Sequence, residues 1–248
     1  MKRKLLSMLL ALMMVVGLLP MAALADSVEN CDVSPCTHQA AIGNTHYDTL
    51  QEALDAAKSG DTVVMLTDVD LGTAEASIYQ KKANVVFDLG GHTLTGAGKY
   101  TVSLSSDNWT IQNGGIVYAG TNASYGALYV TSHNSTTLKN VTVESTTVGI
   151  FCKIASGKNG IVGSVTVEAG TKISGETYGV CMEGQPKPYR KIRDGKEILN
   201  VNGGEITGKT AAIAVYGAEQ GNTKAEVIVN INSGKVSSDT GYAIAGNG

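Results

Sequence analysis

The stretch Glu197 to Val215 reads EILNVNGGEITGKTAAIAV, with an apolar residue at Val201, another five later at Ile206 and a third seven beyond that at Ile213. Alternation of period two surrounds these positions, as in LNVNG, which is the pattern of a half-buried strand and not of a helix. The same spacing, or one close to it, recurs five more times after Val85. A first column collects Leu89, Ile111, Leu138, Val167, Val201 and Ile231. A second collects Leu94, Ile116, Val143, Ile173, Ile206 and Val236, and a third Val102, Ala127, Ile150, Val180, Ile213 and Ile244. The gap from first to second column is five residues except in the copy at Val167, where it is six. Self-similarity repeating every 22 to 34 residues marks a solenoid. One copy cannot bury its own apolar side chains, but copies stacked about 4.8 Å apart turn each column into a continuous inner ladder. A β-sandwich would not keep three aligned columns through six copies. The expectation is an all-β solenoid of about six coils.

Outward from the repeat, the chain has three further parts. Residues 48–60 predict a short capping helix: Thr49 and Glu52 make a capping box, Leu50, Ala53, Leu54 and Ala57 fall on one stripe, and Gly60 is placed to stop it. The helix would cover the open N-terminal end of the stack. Residues 26–45 read as a polar leader, which puts the start of the β-helix domain, 46–248, at the end of that leader. Residues 1–25 read as a signal peptide, with Lys2, Arg3 and Lys4, an apolar run from Leu5 to Leu19, and the small-x-small pattern Ala23-Leu24-Ala25. That run is short for a membrane span, so none is expected in the mature chain, which is placed outside the cell, secreted or attached to the cell surface. At the other end Gly248 follows the sixth copy without a polar capping repeat, so the reading expects the chain to continue or another chain to meet this end.

The capped helix, GDTVVML at Gly60–Leu66, LGGHTLTG at Leu89–Gly96 and LKNVTV at Leu138–Val143 resemble right-handed parallel β-helix proteins of the pectate-lyase-like superfamily. The chain is similar in this to modules that exported surface proteins of Gram-positive bacteria carry behind a signal peptide. The resemblance implies a right-handed parallel β-helix and leaves the chemistry open. That superfamily holds lyases, glycosidases, epimerases and non-catalytic surface modules. The Asp-Asp, Gly-His-Gly and Arg-Ile-Lys motifs of its polygalacturonases do not occur here, and Lys191-Ile192-Arg193 lacks the accompanying acids.

Removing residues 1–25 takes three basic residues, so 16 Lys+Arg remain against 22 Asp+Glu and the net charge is −6. That balance excludes nucleic acid as a default partner. Cys31 and Cys36 read as a local disulfide; the alternative of zinc with His38 and His46 matches no strong ligand spacing, so no metal and no cofactor are expected. Cys152, two after Ile150, faces inward, whereas Cys181, one after Val180, faces outward, so both are expected as free thiols.

Outward positions can be read from the columns in the same way. Glu205 falls between Lys172 and Lys235 on neighbouring coils, and Glu168 beside Lys139, as surface pairs. No outward column holds the two acids that glycoside hydrolysis needs, and no catalytic residue is assigned. The outward side of the third strand reads Ser103, Leu128, Phe151, Cys181, Ala214, Ala245, an apolar stripe. His92 and His133 read as lone turn residues. The longest connecting loop, GQPKPYRKIRDGKE, carries Lys187, Tyr189, Arg190, Lys191 and Arg193 on an otherwise acidic protein. With Trp109, these are the candidate glycan-binding residues, suited to an anionic polysaccharide or host glycan. The favoured function is a secreted or cell-surface module acting as spacer or adhesion domain with glycan contact. The alternative is a polysaccharide lyase on uronate-containing glycans.

Overall fold

The computed structural model describes residues 36–73, 78–80, 83–105, 108–131, 135–153, 160–183, 194–220 and 223–247. The chain divides into two units, residues 1–37 and 38–248. The expected signal peptide, and most of the leader, fall outside the described residues. Cys36 is disulfide-bonded; its expected partner Cys31 also lies outside them. No helix among the described residues is long and apolar enough to cross a membrane.

The second unit opens earlier than the expected boundary at residue 46. β1 (Ala40–Ile42) and β2 (Thr45–Tyr47) form an antiparallel hairpin, and Ala40 and Ala41 are fully buried. α1 (Leu50–Ala56) follows, and β3 (Thr62–Met65) then lies antiparallel to β1. The capping box is formed: Glu52 N donates to Thr49 Oγ1 at 3.2 Å, and Thr49 N donates to Glu52 Oε2 at 3.1 Å. Both orphan donors at the helix start are thereby satisfied. Leu50, Ala53, Leu54 and Ala57 are buried as the stripe predicts. The helix ends at Ala56, four residues before Gly60, because Ala57 already has an extended backbone (ψ 141°); Gly60 instead serves the following turn, at φ +94°.

From β3 onward the winding is parallel. β4 (Val69–Asp70), β5 (Ile78–Gln80), β6 (Val86–Asp88), β7 (Thr93–Gly96) and β8 (Val102–Leu104) begin it. β9 (Trp109–Tyr118), β10 (Gly126–Thr131), β11 (Ser135–Ser145), β12 (Val148–Lys153), β13 (Ile161–Val167), β14 (Lys172–Gly175) and β15 (Tyr178–Glu183) continue it. β16 (Gly195–Gly208), β17 (Ala211–Tyr216), β18 (Ala218–Gln220), β19 (Thr223–Ser237) and β20 (Tyr242–Asn247) follow. Two sheets result. A 13-stranded sheet runs β18-β19-β16-β13-β11-β9-β6-β3-β1-β2, with β4, β7 and β14 joined to it. A 7-stranded sheet runs β20-β17-β15-β12-β10-β8-β5. This is a parallel β-helix, as the repeat predicts. About four of the turns are regular, against the six expected, although seven strands stack in the smaller sheet. Four strands, β9, β11, β16 and β19, carry first and second columns unbroken, whereas β6/β7 and β13/β14 split them.

The columns are ladders in the expected sense. Ile111 pairs with Leu138, Leu138 with Val167, Val167 with Val201, and all four are fully buried. Ile116, Val143, Ile173 and Ile206 do the same one corner later. The five-residue gap between columns is that corner. Left-handed residues turn it, Gly91 (φ +83°), Asn113 (φ +59°), Asn140 (φ +53°) and Gly203 (φ +140°), a conformation open to Gly and tolerated by Asn. Each inner Leu, Ile or Val contributes about 1.5–3 kcal/mol by leaving water. In the last described coil the column residues Ile231 and Ile244 are 46% and 45% exposed.

Candidate functional site

The third column is where the structure departs from the spacing argument. Leu128, not Ala127, pairs with Val102 and Ile150, and Leu128 is fully buried. Ala127 is buried too, so two consecutive residues turn inward at this corner. The outward row therefore shifts by one in this coil and reads Ser103, Tyr129, Phe151, Cys181, Ala214, Ala245. A slip of one residue exchanges the two faces of a strand. The residue preceding every column position is small: Thr101, Ala127, Gly149, Gly179, Ala212, Ala243. That small–large pair was the signal for Leu128. Its cause is steric, since a Cβ on Gly149 would meet Gly179 O at 2.5 Å and one on Gly179 would meet Thr207 O at 2.5 Å.

With this register the outer face of the 7-stranded sheet is an aromatic surface. Phe151, Tyr178 and Tyr216 lie half-buried over Val148, Cys181 and Ala214 as an apolar cluster of their own, apart from the interior. Tyr100, just before β8, stacks on Tyr129 with ring centroids 4.5 Å apart and planes at 24°. It also meets Tyr125 and Phe151 edge-on at 5.5 and 5.8 Å. Tyr242, in register with Ala211, continues the face at 70% exposure. Successive strands hold these rings at the sheet spacing of about 4.8 Å.

The polar ends of the rings are already engaged. Tyr100 OH donates to Ser124 O at 3.2 Å, and the Tyr178 and Tyr216 hydroxyls share a hydrogen bond of 3.2 Å. Burial pushes the Tyr100 phenol up, helped by Tyr129. The bond from Tyr178, and then burial, push Tyr216 up to about 12. Burial pushes Cys181 up to about 12, so its thiol stays protonated and unreactive at neutral pH. Cys181 and Cys152 are both free, as their opposite facing predicts. Lys153 Nζ pairs with Glu183 Oε2 at 2.7 Å beside the rings.

The outer face of the 13-stranded sheet is different in kind. Asn230 donates to Asn200 at 2.9 Å and Asn232 to Asn202 at 2.8 Å, an amide ladder across neighbouring coils. Glu205 lies in register between Lys172 and Lys235, as expected, and Lys235 donates to it at 2.7 Å. That hydrogen bond, then the lysine charges, lower the Glu205 pKa. Glu168 accepts from Asn202 at 3.2 Å, so its partner is an amide on the following coil and not the expected Lys139. Shallow depressions on this face are lined by residues such as Ser145, Ser174, Thr207, Glu176, Lys209 and Asp239, without a ring among them.

The expected glycan residues fare unequally. Trp109 opens β9 at 1% exposure inside the core cluster, so its ring has no face to offer a sugar. Its position explains this: it lies in register with Thr136, itself fully buried, and two residues before the inner Ile111. Lys187, Tyr189, Arg190, Lys191 and Arg193 lie outside the described residues, as does His133. His92 is not lone: its Nδ1 lies 3.4 Å from Asp68. One titratable residue was missed. Glu197 sits two and four residues before Leu199 and Val201, hence inward, fully buried with neither carboxylate oxygen hydrogen-bonded. Burial pushes it up to about 8, so it is protonated at neutral pH.

No family model, curated protein or solved structure matches this chain.

Proposed function

We propose that this chain is a glycan-contacting β-helix module, presented outside the cell, that acts by binding and not by catalysis. The Tyr100–Tyr129 ring stack, continued by Phe151 on the next coil, carries the reading. Aromatic rings on a rigid sheet are suited to the C–H faces of sugars, and their immobility keeps the ordering cost of binding low. Parallel strands repeat the platform along the solenoid axis, which suits a polymer more than a single sugar. The outward carboxylates Glu183, Glu205 and Glu226 each face a lysine within 2.9 Å, the arrangement of a structural surface pair and not of a proton-transfer group.

The basic start Lys2–Lys4, the run Leu5–Leu19 and Ala23-Leu24-Ala25 support export. The resemblance of LGGHTLTG and LKNVTV to pectate-lyase-like modules of Gram-positive surface proteins supports the same placement. The test is retention on immobilised polysaccharides for the wild type and for a Tyr129→Ala/Phe151→Ala double variant. Retention lost in the double variant is expected. Equal retention would remove this face from the account.

A further inference from the structure

We infer that the aromatic face takes a neutral polysaccharide and not a uronate or sulfated one; this rests on the glycan-binding reading above. The seven strands of that sheet, IYQ, VSL, GALYVT, VGIFCK, YGVCME, AAIAVY and YAIAGN, contain two charged residues, Lys153 and Glu183. These lie in register on neighbouring strands and pair at 2.7 Å, each 30% exposed, so their charges cancel across the face. A uronate polymer brings a negative charge on every unit, and each charge that lost water here would need a cation of its own. Lys153 is already engaged, and Glu183 would repel the incoming carboxylate. Ser103 and Thr131, outward on β8 and β10, supply neutral hydroxyls. The phenols of Tyr100 and Tyr216 stay protonated because burial and the Tyr178 bond disfavour their charged forms. Among the described residues this face is thus apolar rings edged with one self-compensated ion pair and uncharged hydrogen-bonding groups, which is the chemistry of a neutral hexose or pentose polymer such as a β-glucan, mannan or xylan.

The experiment is affinity electrophoresis of the full chain in gels containing β-glucan, mannan, xylan or polygalacturonate, run at about 20 mM and at about 500 mM salt, where screening differs strongly. At least one neutral polymer is expected to retard the wild type to the same extent at both salt levels. Polygalacturonate is expected to leave it unretarded. The Tyr129→Ala variant, checked for an unchanged far-ultraviolet spectrum, is expected to bind the neutral polymer at least about tenfold more weakly. Glu183→Gln frees Lys153 and is expected to gain salt-sensitive retardation by polygalacturonate. Retardation of the wild type by polygalacturonate alone, abolished by salt, would overturn the neutral-ligand inference while leaving glycan binding standing. Retardation by a neutral polymer that Tyr129→Ala does not weaken would overturn it by placing the site elsewhere. Retardation by none of the four would overturn the glycan reading itself, and the inference with it.

Discussion

The two sheets share one interior but present opposite exteriors. On the 13-stranded sheet the outward rows are mostly amides, hydroxyls and lysine–glutamate pairs, as in Asn200–Asn230 and Glu205–Lys235, with the aliphatic Val162, Ile198 and Ile228 among them. Those rows do what water-facing positions on neighbouring strands require and little else, since exposed pairs of this kind contribute marginally. On the 7-stranded sheet the outward rows are Tyr129, Phe151, Tyr178 and Tyr216, with a buried Cys181 and Ala214 beneath. Solvation does not ask for rings there. The inner ladder fixes the fold and leaves both exteriors free to vary, so function is to be sought on the face that departs from what water alone would select.

The comparison can be broken most forcefully from inside. Leu138 is the fully buried rung between Ile111 and Val167, and Leu138→Ala is expected to cost about 2–5 kcal/mol, read by urea denaturation. If the interior is common to both sheets, this variant should lower stability and weaken glycan retention together. The next largest effect is the pH response of Glu197. Its pKa rises from the ordinary 4.5 to about 8 on folding, so the folded state holds the proton more tightly than the unfolded one. The contribution of Glu197 to stability is therefore greatest below about pH 4.5, falls as pH rises towards about 8, and levels off beyond, since both states are then ionised. The loss by pH 7 is of order 3 kcal/mol. Glu197→Gln should flatten that part of the profile; a wild-type midpoint constant from pH 5 to 8 would contradict the buried carboxyl.

Smaller effects sharpen the contrast between the exteriors. Tyr129→Ala is expected to weaken glycan binding at least tenfold, roughly 1.4 kcal/mol, with little change in melting temperature. On the opposite sheet Lys235→Ala should leave binding untouched and shift melting only slightly, the shift vanishing at high salt. A binding defect in Lys235→Ala equal to that in Tyr129→Ala would erase the distinction.

The interior was legible because burial imposes a strict spacing. Val201, Ile206 and Ile213 recur through the copies, and the capping box at Thr49 and Glu52 is a local motif that needs no tertiary information. The aromatic face was hidden by a single misassigned rung. Ala127 and Leu128 are both apolar and both buried, and choosing the first turned Tyr129 away from the row that holds Phe151. Tyr100 could not be placed from spacing at all, because it precedes its strand and stacks on Tyr129 of the neighbouring coil. Trp109 shows the converse error: proximity to a loop suggested exposure, whereas its parity with Ile111 requires burial. Glu197 obeyed that same parity, but a charged residue on an inner row invites the assumption that it must face water.

The most direct test of the aromatic face is a hydrogen-exchange footprint with a retained polysaccharide at saturation. The account predicts slowed exchange in β10, β12 and β15, and none in β9, β11 and β14 on the other sheet. Protection confined to the 13-stranded sheet, or to residues 184–197, would contradict it.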